Sequence, residues 1–196
     1  MNQSFFHLTF VFVFIGFFVV RAIAQVKTYR ERGRVEYKEG NWHKGLRLVT
    51  GLPVVALFFG YMFYPPLLSW AEFELPQWAQ WLGVVLGIVS VVLISWIHWA
   101  LGVNFSSVLH IRDEHTLVTH GPYQWVRHPM YTTLFIYTFA NYLLTKNWLI
   151  GSLFFVPYLV IVIWRVNNEE QMMLEKFGEQ YQDYMKRTGR FLPKII

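Results

Sequence analysis

The sequence predicts an all-α integral membrane protein with five transmembrane helices, and three observations carry that prediction. Hydrophobic residues make up 55% of the 196 positions and aromatics 19%, against 15% charged. Soluble domains carry about 25% charged residues and could not hide this much Phe, Trp and Val in one core. The apolar residues are also gathered into blocks close to the ~20 that cross a bilayer as a helix. Finally, the positive charges fall on alternate connecting segments, the pattern that orients helices in a membrane.

The spans follow in order. Residues 5–24 run from Phe5 to Ala24 with Arg21 as the one charge, and residues 45–64 hold only Arg47. Residues 78–101 carry no charge and one late histidine, His98. Residues 131–145 and 148–164 are uncharged and joined by Thr145-Lys146-Asn147. The fourth block has 15 residues, so a shallow hairpin with the fifth stands beside a full crossing. Ala22-Ile23-Ala24 looks like a signal-peptidase site, but no positive segment precedes the apolar run and Arg21 interrupts the junction, so the stretch reads as a span.

Eight of the 17 Lys and Arg lie in residues 21–47, two (Arg112 and Arg127) between the third and fourth spans, and six from Arg165 onward. The 65–77 segment has none and the last hairpin has only Lys146. By the positive-inside rule the N-terminus is outside and the C-terminus cytoplasmic. The net charge of +5 is then a topology signal, with attraction to anionic membrane lipids as a side effect. Nucleic acid is not implied. Cysteine is absent, which removes disulfides, thiol catalysis and Cys-ligated metal, and no metal site is expected.

The chain divides by character near residue 101. Residues 1–101 are a three-span scaffold with Gly83 and Gly87 at the spacing of close helix packing. Residues 102–196 hold the reactive side chains: a polar, His-rich loop, a helical hairpin and a charged amphipathic tail. Met173, Phe177, Tyr181 and Tyr184 recur on one helical face of that tail, with Gly178 as a break or kink.

Three local patterns stand out. Leu101-Gly102-Val103-Asn104-Phe105-Ser106 leaves the third span with helix-stop residues. In HTLVTHGPYQWVRHPMY, residues 115–131, Gly121-Pro122 marks a turn and Pro129 pushes His128 out of helical geometry. Arg127 and His128 therefore sit on irregular backbone at the mouth of the fourth span. Such backbone needs a cavity or protein partners at membrane depth; a ligand site and an interfacial loop touching lipid phosphates both fit. In Arg165-Val166-Asn167-Asn168-Glu169-Glu170, Arg165 and Glu169 share a face of a continuing helix, as a salt bridge at a span end or as part of a site.

GPYQWVRHPMY, followed by the Glu-Glu pair and FGEQYQDYMKRTGRFLP, resembles the isoprenylcysteine carboxyl methyltransferase family, especially its small prokaryotic five-span members. More distantly the chain is similar to phospholipid N-methyltransferases and sterol reductases. The resemblance implies S-adenosyl-L-methionine as cofactor, held in a pocket at the cytoplasmic face formed by the C-terminal half. It implies that His115, Thr116, Leu117, Val118, Tyr123, His128, Pro129, Met130 and Tyr131 line that pocket, that Glu169 is its carboxylate, and that Arg165 faces the substrate as the catalytic residue. His110 stands where the eukaryotic members have a Gln near the cofactor, and is included on that basis.

The residue types suit that chemistry. Carboxylates accept hydrogen bonds from an amino group or ribose hydroxyls, and Tyr or Trp faces attract a sulfonium. Arg165 offers a planar fork for a carboxylate. The expected acceptor is a lipophilic small molecule or lipidated substrate. A phospholipid or other small-lipid methyltransferase is the second reading, in which His128 or Glu170 serves as base. A non-catalytic membrane subunit or small transporter is the third, against which the polar groups gather at one face instead of the midplane.

Overall fold

Long uninterrupted apolar sequence becomes long helix. The computed structural model describes residues 2–32, 56–105 and 116–194. In chain order the helices are α1 (Asn2–Arg32), α2 (residues 56–63), α3 (Gln77–Leu101), α4 (Pro129–Thr145), α5 (Trp148–Phe177) and α6 (Glu179–Arg187), with a 3-10 turn at Pro65–Ala71. Among the described residues the architecture is all-helical, with isolated bridges where loops touch.

Three helices are long and apolar enough to cross a membrane: Gln3–Glu31, Gln77–Leu101 and Trp148–Phe177. Their outer faces are apolar as well. Phe12 is 72% exposed, Trp99 78% and Ile163 73%, which a bilayer tolerates and water does not. The predicted 45–64 span is described only from residue 56. The fourth predicted span appears as α4, whose 17 residues cover about 26 Å at 1.5 Å per residue, short of the ~30 Å hydrocarbon core.

What α4 lacks in length it gains in packing, for it touches α1, α3 and α5. Gly83 makes the close approach to α3 possible: a Cβ there would lie 2.9 Å from Leu143 Cβ and 3.1 Å from the Leu144 backbone nitrogen. At Gly87 a Cβ would meet Val13 of α1 at 2.9 Å. The predicted small-residue spacing thus admits α4 at one turn of α3 and α1 at the next. Phe17 of α1 stacks on Tyr137 of α4 with ring centroids 4.1 Å apart.

The predicted short link between α4 and α5 is a tight, pinned turn. Asn147 accepts from Ile150 N at 3.1 Å to cap α5, and its side-chain amide donates to Leu68 O at 2.8 Å. Lys146 pairs with Glu72 at 3.2 Å. At the opposite end of the bundle, α3 stops at Gly102 (φ 52°), and Gly178 (φ 50°) ends α5 and starts α6. The expected break therefore falls at Gly178, and Tyr181 and Tyr184 of the predicted face are buried.

Candidate functional site

Pro129 starts α4 and leaves His128 in non-helical backbone (φ −124°, ψ 58°). The loop before it is tied to the tail. Arg127 N donates to Gly189 O at 2.8 Å and His128 N to Arg190 O at 3.0 Å, while Gly189 N reaches Trp125 O at 3.3 Å. Thr132 Oγ1 donates to Phe191 O at 2.7 Å, and the Tyr184 hydroxyl to Tyr123 O at 2.6 Å. The irregular backbone foreseen at the mouth of α4 thus finds its partners in residues 188–191.

α5 continues as helix beyond its apolar stretch and carries Glu169 and Glu170 side by side. Neighbours on a helix point about 100° apart, so the two carboxylates serve different partners. Glu170, 5% exposed, meets Arg127 Nε at 3.0 Å, His128 Nε2 at 3.2 Å and Arg190 Nε at 3.1 Å. The Arg127 guanidinium is completed by the carbonyls of Met185 and Thr188, and Arg190 also holds Asn167 at 3.0 Å. Burial alone would raise the Glu170 carboxyl, but hydrogen bonds from His128, Arg190 and Arg127 outweigh it and hold the group well below the usual carboxylate range.

Glu169 is the more open of the pair. Its Oε1 accepts from Tyr131 Oη at 2.9 Å and from Arg165, whose Nε and Nη2 lie at 3.2 and 3.1 Å. Its Oε2 has His128 Nδ1 at 3.7 Å, beyond hydrogen-bond length, so one lone-pair face is available to a ligand. Tyr123 borders the same region. Desolvation pushes its phenol above the ordinary range, and the neighbouring Tyr184 and Glu169 add to it. Burial pushes the Tyr184 phenol up to about 12, so that hydroxyl stays a donor.

Of the sequence-predicted residues, Tyr123, His128, Tyr131, Arg165 and Glu169 come together in this network. Pro129 is buried beneath them as the first residue of α4. Met130 turns to α1, where Arg21 Nη1 lies 3.5 Å from its sulfur. Thr116 is held by Asn104, which contacts both its hydroxyl (3.0 Å) and its amide (3.3 Å), while Leu117 and Val118 are half-buried beyond it. His110 and His115 lie outside the described residues. Arg190 was not foreseen as a partner, and its only sequence signal was an Arg in the tail motif. Among the described residues no cluster of His, Asp or Glu could hold a metal.

A model of the phospholipid methyltransferase family matches residues 78–180, more than half of the chain. The chain belongs to this family. Among its relatives, protein-S-isoprenylcysteine O-methyltransferase of Tribolium castaneum is 30% identical over 144 residues, covering 65% of this chain and 50% of that protein. The Xenopus laevis enzyme of the same name is 32% identical over 146 residues, covering 66% and 49%. A solved structure of the eukaryotic intramembrane Ras methyltransferase, isoprenylcysteine carboxyl methyltransferase, aligns with a TM-score of 0.58 and 26% identity, over 94% of this chain and 63% of that one. The resemblance read from the motifs is thereby borne out, and the apolar helices make this a multi-pass membrane protein. The chain spans about half the length of the relatives it matches.

Proposed function

We propose that the chain is an integral membrane methyltransferase that uses S-adenosyl-L-methionine to O-methylate the carboxylate of isoprenylcysteine or a similar lipophilic acceptor. One observation carries the reading: Glu169 has an oxygen free of close partners, beside an Arg165 fork and the Tyr123 and Tyr131 phenols. That donor set fits the cofactor, because a carboxylate edge accepts from its amino group or ribose hydroxyls and aromatic faces favour its cation. The activity for which the relatives are named supports the same choice.

When bound, the cofactor supplies an electrophilic methyl group on a positively charged sulfur. The protein's share is positioning. Glu169 holds by hydrogen bonding, Tyr131 and Arg165 fix the rotamer of Glu169, and Arg165 orients the acceptor. A carboxylate is already ionised at neutral pH, so no side chain has to take a proton. Alignment can contribute up to roughly 7–11 kcal/mol in well-oriented systems, and a water-poor pocket favours a reaction that cancels opposite charges.

The phospholipid or small-lipid reading rests on the family description. An amine or phenol acceptor needs a base, and Glu170 is poorly suited because its charged form is held by three donors. We further propose five spans, with the N-terminus outside, the C-terminus cytoplasmic, residues 1–101 as scaffold and residues 102–196 carrying the cofactor. Tags at the N-terminus or in the 65–77 segment should then be reachable from outside intact cells, and tags at residues 33 or 196 should not.

The deciding experiment is methyl transfer from labelled S-adenosylmethionine by the purified protein to a panel of prenylcysteines, phenols and lipid amines. Transfer to prenylcysteine is expected, with cofactor binding by calorimetry weakened severely in Glu169→Ala. Transfer to amines alone, or unchanged cofactor affinity in that variant, would overturn the assignment.

A further inference from the structure

Arg21 and His98 are two polar side chains inside helices apolar enough to cross a membrane. Among the described residues Arg21 has no carboxylate within ion-pair reach. Its Nη1 meets the Met130 thioether at 3.5 Å, and its guanidinium carbon stands 5.9 Å over the Phe105 ring. Phe105 in turn packs edge-on against His98, with centroids 4.4 Å apart. His98 is 7% exposed, yet neither Nδ1 nor Nε2 has a hydrogen-bond partner. Buried polar groups are as a rule paired, and an ionisable residue inside a span marks a ligand path or a partner.

Met130 precedes Tyr131, which donates to Glu169, which grips Arg165, and Arg21 is within electrostatic reach of Arg165. Arg165 has Glu169, whereas Arg21 has no carboxylate in reach among the described residues. Among the described residues the other arginines near Glu169 and Glu170 are already met: Arg127 by Glu170 and two carbonyls, Arg190 by Glu170 and Asn167. The partner that suits Arg21 is therefore an anionic group. Because Arg21 and His98 lie within apolar helices, an anion that reaches them arrives attached to an apolar body.

We propose that Arg21 and His98 form the anion-holding end of the acceptor site, gripping the carboxylate of a lipophilic acceptor on the Met130 side while Arg165 holds it from the Glu169 side. This rests on the carboxyl-methyltransferase reading and adds to it a specificity element contributed by α1 and α3. The discrimination it provides is against neutral acceptors, since two cations and a ring donor are left unpaired by an uncharged group.

The test uses the full chain in detergent with farnesylcysteine as acceptor and its carboxamide as a neutral competitor. Arg21→Met should raise KM for the acid about ten-fold or more, the scale of a lost charge-assisted hydrogen bond, and Arg21→Lys should recover part of it. Cofactor affinity by calorimetry and inhibition by the carboxamide should stay as in the parent protein. His98→Phe should raise the melting temperature, by removing orphaned polar atoms, while also raising KM for the acid. An unchanged KM in Arg21→Met overturns the proposal, as does an equal loss for acid and carboxamide, which would mean packing. Weakened cofactor affinity with KM intact overturns it too, and assigns the anion to the cofactor's own carboxylate. Should the parent protein methylate no prenylcysteine, the functional reading falls by itself. Calorimetry of the acid against the carboxamide then decides the site: a preference for the acid that vanishes in Arg21→Met supports it, and equal binding by both proteins rejects it.

Discussion

The packing between α1, α3 and α4 and the clamp around Glu170 are held together by opposite means. In the first, Phe6, Phe10, Phe17 and Ile94 are buried with hardly a polar atom among them, and small residues on α3 set how closely the helices approach. In the second, three side chains converge on one carboxylate, and a distant tail's carbonyls complete one of them. Lipid offers the first region little hydrophobic drive, so shape does the work. The second region is ruled by the cost of leaving a buried charge alone. The same substitution logic therefore fails to transfer between them: shape changes should injure one, charge changes the other.

The largest effect is expected in the clamp. Glu170→Ala leaves Arg127 buried without its carboxylate and should cost about 3–5 kcal/mol, read as a fall in melting temperature in detergent. An equally large loss in Arg127→Met would show that the pair stands or falls as a unit. Next comes Gly83→Ala, which drives a methyl against the backbone of α4 and should cost about 1–3 kcal/mol. Gly87→Ala meets only the Val13 side chain, which can turn aside, so its cost should be smaller; the reverse order would break the account of the α3–α4 contact. Acid sharpens the comparison. The folded carboxyl of Glu170 is depressed, so its contribution is present in full above the ordinary carboxylate range of about 4–5 and declines as pH falls below it. The melting gap between the parent protein and Glu170→Gln should therefore narrow from pH 6 to pH 3, whereas the Gly83→Ala gap should not move. Least of all, Lys186→Ala removes an exposed partner of Asp183, and its melting curve should be indistinguishable from the parent's.

How far the sequence revealed this depended on whether a contact was local. The α3 exit at Gly102, the tight 145–147 link, the Gly178 break and the Arg165–Glu169 pair are all settled within a few residues of chain, and each was readable from spacing. α4 was visible as an apolar block, but only its burial among α1, α3 and α5 explains how so short a helix is used. Arg190 reaching back to Glu170 and Arg21 touching Met130 were not readable. They join positions 20 and 109 residues apart, and no periodicity encodes such meetings. Charge counting even pointed the other way for Arg21, which served there as a boundary marker.

The pairing of residues 188–191 with 125–132 has a consequence for how the molecule is assembled. Arg127 and the carbonyl of Thr188 are 61 positions apart, so the loop and α4 are synthesised well before the stretch that finishes them. During that interval the amides of Arg127 and His128 must be kept wet or shielded by something else. Membrane insertion of α4 and α5 is thus separated in time from closure of the polar clamp. A nascent chain halted before Thr188 would carry its helices in place and a clamp lacking Arg190 and the carbonyls of residues 188–190.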